Sequence, residues 1–158
     1  MDDLAKRLGA RLRRANDMLA TAESCTGGWA AQVVTSVAGS SAWFERGFVT
    51  YSNAAKQELL GVRAETLRAH GAVSEETARE MALGALERSQ GTIAVSITGV
   101  AGPAGGTAEK PVGTVCFAWA RGGEVRSETR RFAGDRESIR RQSVILALEG
   151  VMRALNGG

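Results

Sequence analysis

The chain has 158 residues, of which 44% are hydrophobic and 23% charged, and its formal net charge is +3. This length and apolar content are typical of one folded domain with its own core, and they exclude a disordered chain. We therefore expect residues 1–158 to form a single domain. The basic residues are spread along the chain, with no basic tail or neighbouring aromatic stripe, so direct nucleic-acid contact is not expected.

Cysteine and histidine are too scarce for a disulfide framework or a metal site. The chain has two cysteines, Cys25 and Cys116, and a single histidine, His70, so that metal-ligand spacing is absent and we expect neither a metal nor a cofactor. No run of about 18 apolar residues predicts a membrane span, and the charged N-terminus has no signal-peptide core. We therefore expect a cytoplasmic protein with no membrane partner.

Helices and strands alternate in the predicted order of elements. Apolar residues at helical spacing predict helices, and short β-branched or apolar runs predict strands. In chain order we predict a helix from about residue 2 to 15, a strand over 18–20, a helix over 29–37, a strand over 44–51, short helices over 54–60 and 64–69, a helix from 74 to about 90, strands over 93–98, 112–120 and 125–132, and a last helix after 135. This order, with a hairpin turn at 121–124, predicts a layered α/β domain with a mixed sheet.

The chain is organised around the octet Thr21-Ala22-Glu23-Ser24-Cys25-Thr26-Gly27-Gly28, which joins the first strand to the second helix. Such a junction leaves backbone N–H groups unpaired at the helix start, where they suit a phosphate or an oxyanion. Gly27 and Gly28 let a ligand approach the backbone closely. The alternative is that Ser24 or Thr26 is an ordinary helix N-cap.

Two further stretches, 51–56 and 98–106, also begin where a predicted strand ends. Strand ends that face the same way form the ligand crevice of an open α/β sheet. Tyr51 and Lys56 join this crevice only if their strand runs parallel to the other two, which the sequence leaves open. The glycine-rich loop 99–106 matches neither the Walker nor the Rossmann pattern.

Ser24 is the first candidate nucleophile, and it needs a base. His70 is expected to be a cation at a helix end, whereas a lysine with a lowered pKa can take a serine proton. Lys56 is one of only three lysines, and its alternative role is an exposed helix residue. Cys25 is a second candidate nucleophile because a helix N-terminus lowers a thiol pKa; its alternative role is a small buried hydrophobic residue.

Arg136 and Arg140 lie four residues apart on the last predicted helix. This spacing places both guanidinium groups on one helical face, where they can grip an anion. The alternative is a solvated surface face. With the near-neutral charge balance, the pattern indicates a weak preference for anionic ligands.

Motifs along nearly the whole chain, in order and with close spacing, resemble one known family. They are the octet at 21–28, Gly39-Ser40-Ser41, Gly47-Phe48-Val49-Thr50-Tyr51-Ser52-Asn53 with Lys56, and the segments 59–62, 70–74, 98–103, 110–115 and 132–136. In these segments the chain resembles the CinA C-terminal domain family, the nicotinamide-nucleotide amidohydrolases. One departure is Ala104, where the family pattern leads us to expect glycine.

The resemblance implies deamidation of nicotinamide mononucleotide to nicotinate mononucleotide and ammonia, a step in pyridine nucleotide recycling, with no metal or cofactor. It also implies a three-layer α/β/α sandwich with a mixed, mostly parallel sheet. On the family pattern Ser24 is the nucleophile, Lys56 its base and Tyr51 an assisting hydroxyl. The residues expected to bind the nucleotide are Thr26, Gly27, Gly28, Ser40, Ser41, Thr98, Gly99, Gly102 and Arg136.

Several alternatives stay open at this point. The N–H groups near residues 26–28 hold either the oxyanion or the phosphate. The family also occurs fused to an N-terminal domain resembling molybdopterin-binding proteins, and we expect this chain to be the stand-alone form, with no pyrophosphatase activity implied. The alternative function is a non-catalytic nucleotide-binding module associated with competence or the DNA-damage response. We expect a homo-oligomer, as is common for such a small enzyme.

Overall fold

The computed structural model describes residues 1–157 as a five-stranded sheet between two layers of helices. The elements are α1 (Asp2–Ala15), β1 (Leu19–Glu23), α2 (Trp29–Thr35), a 3-10 turn (Ser40–Ala42), β2 (Phe44–Val49), α3 (Asn53–Leu60), α4 (Ala64–His70), α5 (Glu75–Glu87), β3 (Ile93–Gly99), β4 (Thr114–Arg121), β5 (Glu124–Arg131) and α6 (Arg136–Gly157). The predicted helices and strands are present with ends shifted by a few residues. The largest strand correction is β1, which continues to Glu23 because it pairs with a strand on each side.

The strands lie in the order β2-β1-β3-β4-β5. β1 is parallel to both of its neighbours, whereas β4 is antiparallel to β3 and β5. Four strands therefore point the same way and β4 points against them, which confirms the mixed sheet. The parallel direction of β2 answers the question that the sequence left open. The segments that follow β1, β2 and β3 meet at one edge of the sheet, which we call the carboxyl edge.

The two faces of the sheet carry side chains of different size, because successive side chains of a strand point to opposite faces. On the first face, large apolar side chains pack in one core with α1, α2 and α6; those of β3 and β4 are Ile93, Val95, Ile97, Val115, Phe117 and Trp119. On the second face, small side chains pack against α5; they are Ala20, Ala22, Ala94, Cys116, Ala118 and Ala120. We call these the large-residue face and the small-residue face.

Each face holds a helix glycine in close contact. On the small-residue face, a Cβ added at Gly84 of α5 would lie 1.9 Å from the carbonyl oxygen of Leu60, the last residue of α3. On the large-residue face, a Cβ at Gly150 of α6 would lie 2.1 Å from the ring of Trp119. α5 thus fixes the position of α3, the helix that carries Lys56. Within residues 1–157, no helix combines the length and apolar character that crossing a bilayer requires.

Candidate active site

A cavity of about 310 Å³ opens at the carboxyl edge of the sheet. The segments after β1, β2 and β3 supply most of its wall, together with the start of α6. The side chains with reactive or polar groups that line it are Ser24, Cys25, Tyr51, Asn53, Lys56, Thr98 and Arg136, and most of the loop 99–106 completes the wall. In the part of the chain that the structure describes, no group of three or more His, Cys, Asp or Glu side chains could hold a metal ion.

Lys56 lies beneath the cavity with only 1% of its surface exposed. Its Nζ donates to Ser24 Oγ at 3.0 Å, to the carbonyl oxygen of Thr50 at 3.1 Å and to that of Tyr51 at 3.3 Å. Three acceptors match the three protons of an ammonium group. In the neutral amine, two N–H groups can stay on the carbonyls while the lone pair accepts the Ser24 proton. The alternative that Lys56 is an exposed helix residue is wrong.

Burial lowers the pKa of Lys56 below its ordinary value, because the surrounding protein excludes the water that would solvate the charge. The Cys25 thiol opposes this shift by favouring the charged amine. The hydrogen-bond partners of Nζ among residues 1–157 are neutral oxygens, with no carboxylate to restore the charge. A lysine in this environment accepts the proton of a serine hydroxyl at a lower pH than an exposed lysine does.

Local sequence explains why Lys56 points inward. The Ser52 side chain caps α3 by accepting from the N–H of Ala55 at 3.0 Å, so that only three residues separate the end of β2 from the start of the helix. Lys56 and Leu60 are the buried residues of α3, and they lie one turn apart. The helix therefore carries Lys56 on the same side as the apolar residue that anchors it to the core.

Ser24 follows β1 directly and begins a tight turn. Its N–H donates to the carbonyl of Ile97 at 2.9 Å, which extends the sheet by one bond, and its own carbonyl accepts from the N–H of Gly27 at 3.0 Å. Gly27 and Gly28 have φ values of 60° and 102°, in the left-handed region that favours glycine. The N-cap of α2 is Gly28, without a side-chain hydrogen bond. The alternative that Ser24 or Thr26 caps this helix is therefore wrong.

The start of α2 is occupied by a carboxylate of the chain itself. Glu23, which is 1% exposed, accepts from the N–H groups of Ala30 at 2.9 Å and Ala31 at 3.0 Å and from Thr26 Oγ1 at 2.6 Å. Because an anion already fills this helix N-terminus, these donors are not available to a phosphate or an oxyanion. The N–H groups of Cys25 and Thr26 have no oxygen acceptor within residues 1–157, and they follow Ser24 directly.

Tyr51 contributes to the cavity in two ways. Its carbonyl accepts from Lys56. The residue is 63% exposed, and its hydroxyl accepts from Arg136 Nη2 at 3.2 Å. Arg136 Nη1 also donates to the carbonyl of Gly102 at 2.9 Å. Tyr51 and Arg136 therefore join the segment after β2 to the loop after β3 at the mouth of the cavity. The phenol hydrogen-bonds to Arg136 rather than to Lys56.

The structure brings together only some of the residues predicted to bind substrate. Thr98 lines the cavity, and its hydroxyl donates to the carbonyl of Ala72 at 2.8 Å. Ser40 and Ser41 lie in the 3-10 turn before β2, at the opposite edge of the sheet. The predicted residues that meet in the cavity are Ser24, Tyr51, Lys56, Thr98, Gly99, Gly102 and Arg136. Those that lie outside its lining are Thr26, Gly27, Gly28, Ser40 and Ser41.

Cys25 is buried beside Ser24, and its environment disfavours the thiolate. Burial raises the pKa of the thiol to about 11, and the negative charge of Glu23 acts in the same direction against the opposing charges of Arg140 and Lys56. The expectation that a helix N-terminus lowers this pKa is wrong, because burial raises the pKa and Glu23 occupies the start of α2. His70 ends α4 and lies with its Nδ1 3.6 Å from a carboxylate oxygen of Glu76, outside the cavity lining.

Sequence reasoning missed two residues that hold the turn after β1. Glu23 lies inside the octet next to Ser24, so its position was a usable signal. Arg140 was considered only as one half of an anion grip, whereas its Nε donates to the carbonyl of Cys25 at 3.0 Å and its Nη2 to that of Thr26 at 3.1 Å. No spacing rule along the chain connects these residues, which are more than a hundred positions apart.

Comparisons with known proteins agree with this fold. The family model described as CinA C-terminal domain matches residues 1–155. The nicotinamide-nucleotide amidohydrolase PncC of Escherichia coli K12 is 56% identical over 147 residues, which cover 92% of this chain and 89% of that protein. The protein of the same name from Pseudomonas putida is 55% identical over 150 residues, covering 95% of this chain and 94% of that one.

A solved structure shares the whole fold. The competence/damage inducible protein CihA from Agrobacterium tumefaciens superposes with a TM-score of 0.94 and 50% identity, over 98% of this chain and 94% of that one. The structural likeness includes the mixed sheet and both helical layers. With the family match over nearly all residues, it leads to one conclusion: the chain belongs to the CinA C-terminal domain family.

Proposed function

We propose that this chain hydrolyses the carboxamide of nicotinamide mononucleotide to give nicotinate mononucleotide and ammonia. The family match and the relatives named nicotinamide-nucleotide amidohydrolase, at 55% and 56% identity, support this reaction. The observation that carries the proposal is the buried Lys56 amine 3.0 Å from the Ser24 hydroxyl, at the wall of a cavity open to a small molecule. This pair supplies a nucleophile and a base without a histidine or a metal.

The proposed reaction runs through an acyl-enzyme. Ser24 Oγ attacks the carboxamide carbon as Lys56 takes the hydroxyl proton, which gives a tetrahedral intermediate with a negative oxygen. Lys56 then returns the proton to the leaving nitrogen, the carbon–nitrogen bond breaks, and ammonia departs. A water molecule gives a proton to Lys56 and attacks the ester carbon, and the proton returns to Ser24 as the nicotinate product leaves.

We assign the oxyanion and the phosphate of the substrate to different parts of the site. The N–H of Cys25 adjoins Ser24, belongs to a residue of the cavity lining and has no oxygen acceptor within residues 1–157, so it is the proposed oxyanion donor. Removing one such donor commonly costs roughly 10²–10³ in rate. Arg136 is the one cation besides Lys56 in the cavity lining. With the Tyr51 hydroxyl, it is the proposed partner of the phosphate.

The test is ammonia release from nicotinamide mononucleotide by the purified chain and by Ser24→Ala. We expect activity in the wild type and a loss of roughly 10⁴–10⁶-fold in the variant, as for other nucleophilic serines. Ser41→Ala is the matched control, because Ser41 is exposed and lies at the opposite edge of the sheet; it should keep full activity. Full activity in Ser24→Ala contradicts the serine mechanism.

A wild-type protein that binds the nucleotide but releases no ammonia, while a positive-control deamidase does, contradicts the hydrolase proposal. That result supports the non-catalytic nucleotide-binding alternative. The homo-oligomer stays a prediction, which sedimentation or light scattering of the purified chain tests.

A further inference from the structure

Arg140 is a half-buried cation that bonds to backbone rather than to a carboxylate. Its Nε lies 3.0 Å from the carbonyl oxygen of Cys25 and its Nη2 lies 3.1 Å from that of Thr26. The guanidinium carbon also lies 5.5 Å from the centre of the Trp29 ring. Among residues 1–157, no Asp or Glu oxygen lies within ion-pair distance of it. A half-buried charge that bonds to two adjacent carbonyls indicates that the orientation of these two peptides matters.

Peptide geometry connects these carbonyls to the proposed oxyanion donor. In a trans peptide, the N–H of one residue points opposite to the C=O of the residue before it. Because the Cys25 carbonyl faces Arg140, the Thr26 N–H points away from Arg140. The next peptide behaves in the same way, since the Thr26 carbonyl faces Arg140 and the Gly27 N–H turns to the carbonyl of Ser24 at 3.0 Å.

Thr26 is therefore fixed through every polar group except one. Its hydroxyl donates to Glu23 at 2.6 Å, and its carbonyl accepts from Arg140 and from the N–H of Trp29. Its N–H has no oxygen acceptor within the described chain. Thr26 is fully buried and lies outside the cavity lining, so the N–H group of this turn that belongs to a lining residue and lacks an oxygen acceptor is that of Cys25.

We infer that Arg140 is a positioning residue for the reaction: it holds the Thr26–Gly27 peptide, whose N–H fixes the Ser24 carbonyl, so that the Cys25 N–H on the opposite side of the Ser24–Cys25 peptide is set to receive the oxyanion formed at Ser24. The inference rests on the proposed function, because it needs an oxyanion at that place. It differs from the anion grip that the sequence suggested, since Arg140 acts through the backbone and lies outside the cavity lining. The planar guanidinium of Arg140 donates to two carbonyls at once, whereas a lysine amine is a single point charge that cannot reproduce this geometry.

The chain offers a matched control in the next residue. Arg141 also lies over Trp29, at 5.3 Å from the ring centre, and forms an exposed ion pair with Glu137 at 3.6 Å. It has the same charge and the same aromatic contact as Arg140 without the bonds to the turn. The test compares Arg140→Met, Arg140→Lys and Arg141→Met by kcat and KM for nicotinamide mononucleotide.

We expect Arg140→Met to lower kcat by about 10–100-fold, a part of the loss that follows removal of an oxyanion donor, with KM unchanged. Arg140→Lys keeps the positive charge, so its kcat should fall less than that of Arg140→Met. If Arg140→Met fails to fold, the kcat of Arg140→Lys provides the test. Methylguanidine should restore part of the kcat of Arg140→Ala and none of that of Arg141→Ala. A higher KM at unchanged kcat supports the anion grip and overturns the inference, as does a kcat no lower than that of Arg141→Met.

A second readout separates this inference from the proposed function. Phenylmethanesulfonyl fluoride modifies an activated serine without any nucleotide, and mass spectrometry identifies the labelled residue. We expect labelling of Ser24 to slow in Arg140→Met and not in Arg141→Met. If the wild type releases no ammonia but this difference in labelling holds, only the proposed substrate fails. If the wild type releases ammonia and the labelling rates are equal, the role of Arg140 fails alone.

Discussion

The two faces of the sheet divide the tasks of this protein between them. On the small-residue face, Ser24 meets Lys56 of α3 at the wall of the cavity. On the large-residue face, Glu23 holds the start of α2, and Arg140 of α6 holds the carbonyls that follow Ser24. The turn after β1 therefore presents its nucleophile to the small-residue face and is held in place by residues on the large-residue face. The reactive residues therefore lie on the small-residue face, where space is left for a cavity, and the residues that orient them lie on the tightly packed large-residue face.

The same difference appears in the contacts that hold each layer. On the large-residue face, the rings of Phe117 and Trp119 stack with centroids 5.8 Å apart, and Trp119 Nε1 donates to a carbonyl of α6 at 2.9 Å. On the small-residue face, Ser96 and Thr98 donate their hydroxyls to the carbonyls of Ala78 and Ala72 at 2.6 Å and 2.8 Å. Small side chains and polar contacts leave the volume and the acceptors that a buried lysine needs.

Among the changes that distinguish the two faces, removal of the base on the small-residue face should have the largest effect. Lys56→Met should lower kcat by roughly 10²–10⁴-fold, the usual contribution of a positioned base. In the wild type, kcat/KM should rise with pH through a pKa below the ordinary value of lysine, because the amine must be neutral to take the Ser24 proton. The variant should lose this rise. A pH–rate profile of both proteins checks the prediction, and an unchanged rise in the variant contradicts it.

The lowered pKa of Lys56 also gives a signed effect on stability. Between its pKa in the folded protein and the ordinary value of 10.5, the unfolded chain binds more protons than the folded chain. Stability from this group therefore rises with pH across that window. In thermal unfolding, the Tm of the wild type minus the Tm of Lys56→Met should increase as the pH rises towards 10.5.

Gly84 and Gly150 allow the same substitution to be made on each face of the sheet. Gly150→Ala meets the Trp119 ring and should cost about 1–3 kcal/mol of stability, with kcat unchanged. Gly84→Ala meets the backbone of Leu60, which can move only if α3 moves. It should cost at least as much stability and also lower kcat, since α3 carries Lys56. Denaturant unfolding and ammonia release on both variants test this, and equal kcat values contradict the division between faces.

The smallest expected effect is at Cys25. Its thiol pKa of about 11 keeps it protonated at neutral pH, and its side chain is buried. Cys25→Ala should keep most of the activity, because the proposed donor at this position is the backbone N–H. Iodoacetamide should modify the native thiol slowly at pH 8. Rapid modification with loss of activity, together with an inactive Cys25→Ala, supports the cysteine nucleophile instead.

Much of the fold could be predicted from the sequence, since spacing of apolar residues and turn residues act locally. The hairpin at 121–124 and the helix capped by Ser74 lie where the pattern predicted them. Strand ends were less certain. The pattern ended β1 at Ala20, but pairing with β2 and β3 carries the strand to Glu23. Hydrogen bonds from distant strands decide such ends, and local preference does not include them.

The candidate site was partly predictable for the same reason. Ser24, Lys56 and Tyr51 each stand next to a predicted strand end, so a search along the chain finds them. Ser40 and Ser41 lie at the opposite edge of the sheet from the cavity, and a motif match says nothing about which edge a turn occupies. The expectation that the N–H groups at the start of α2 bind the substrate is wrong, because the Glu23 carboxylate accepts from them. Whether the Glu23 side chain points towards this helix is not visible in the sequence.

The order of helices and strands and the family resemblance follow from the sequence alone, because they depend on neighbouring residues and on motifs along the chain. Three contacts depend on the tertiary structure: the buried Lys56 donates to Ser24, Glu23 accepts from the N–H groups at the start of α2, and Arg140 donates to the carbonyls of the turn after β1. Those three contacts join segments far apart in the chain or depend on side-chain direction. Burial, hydrogen-bond partners and pKa follow from such contacts once the chain has folded.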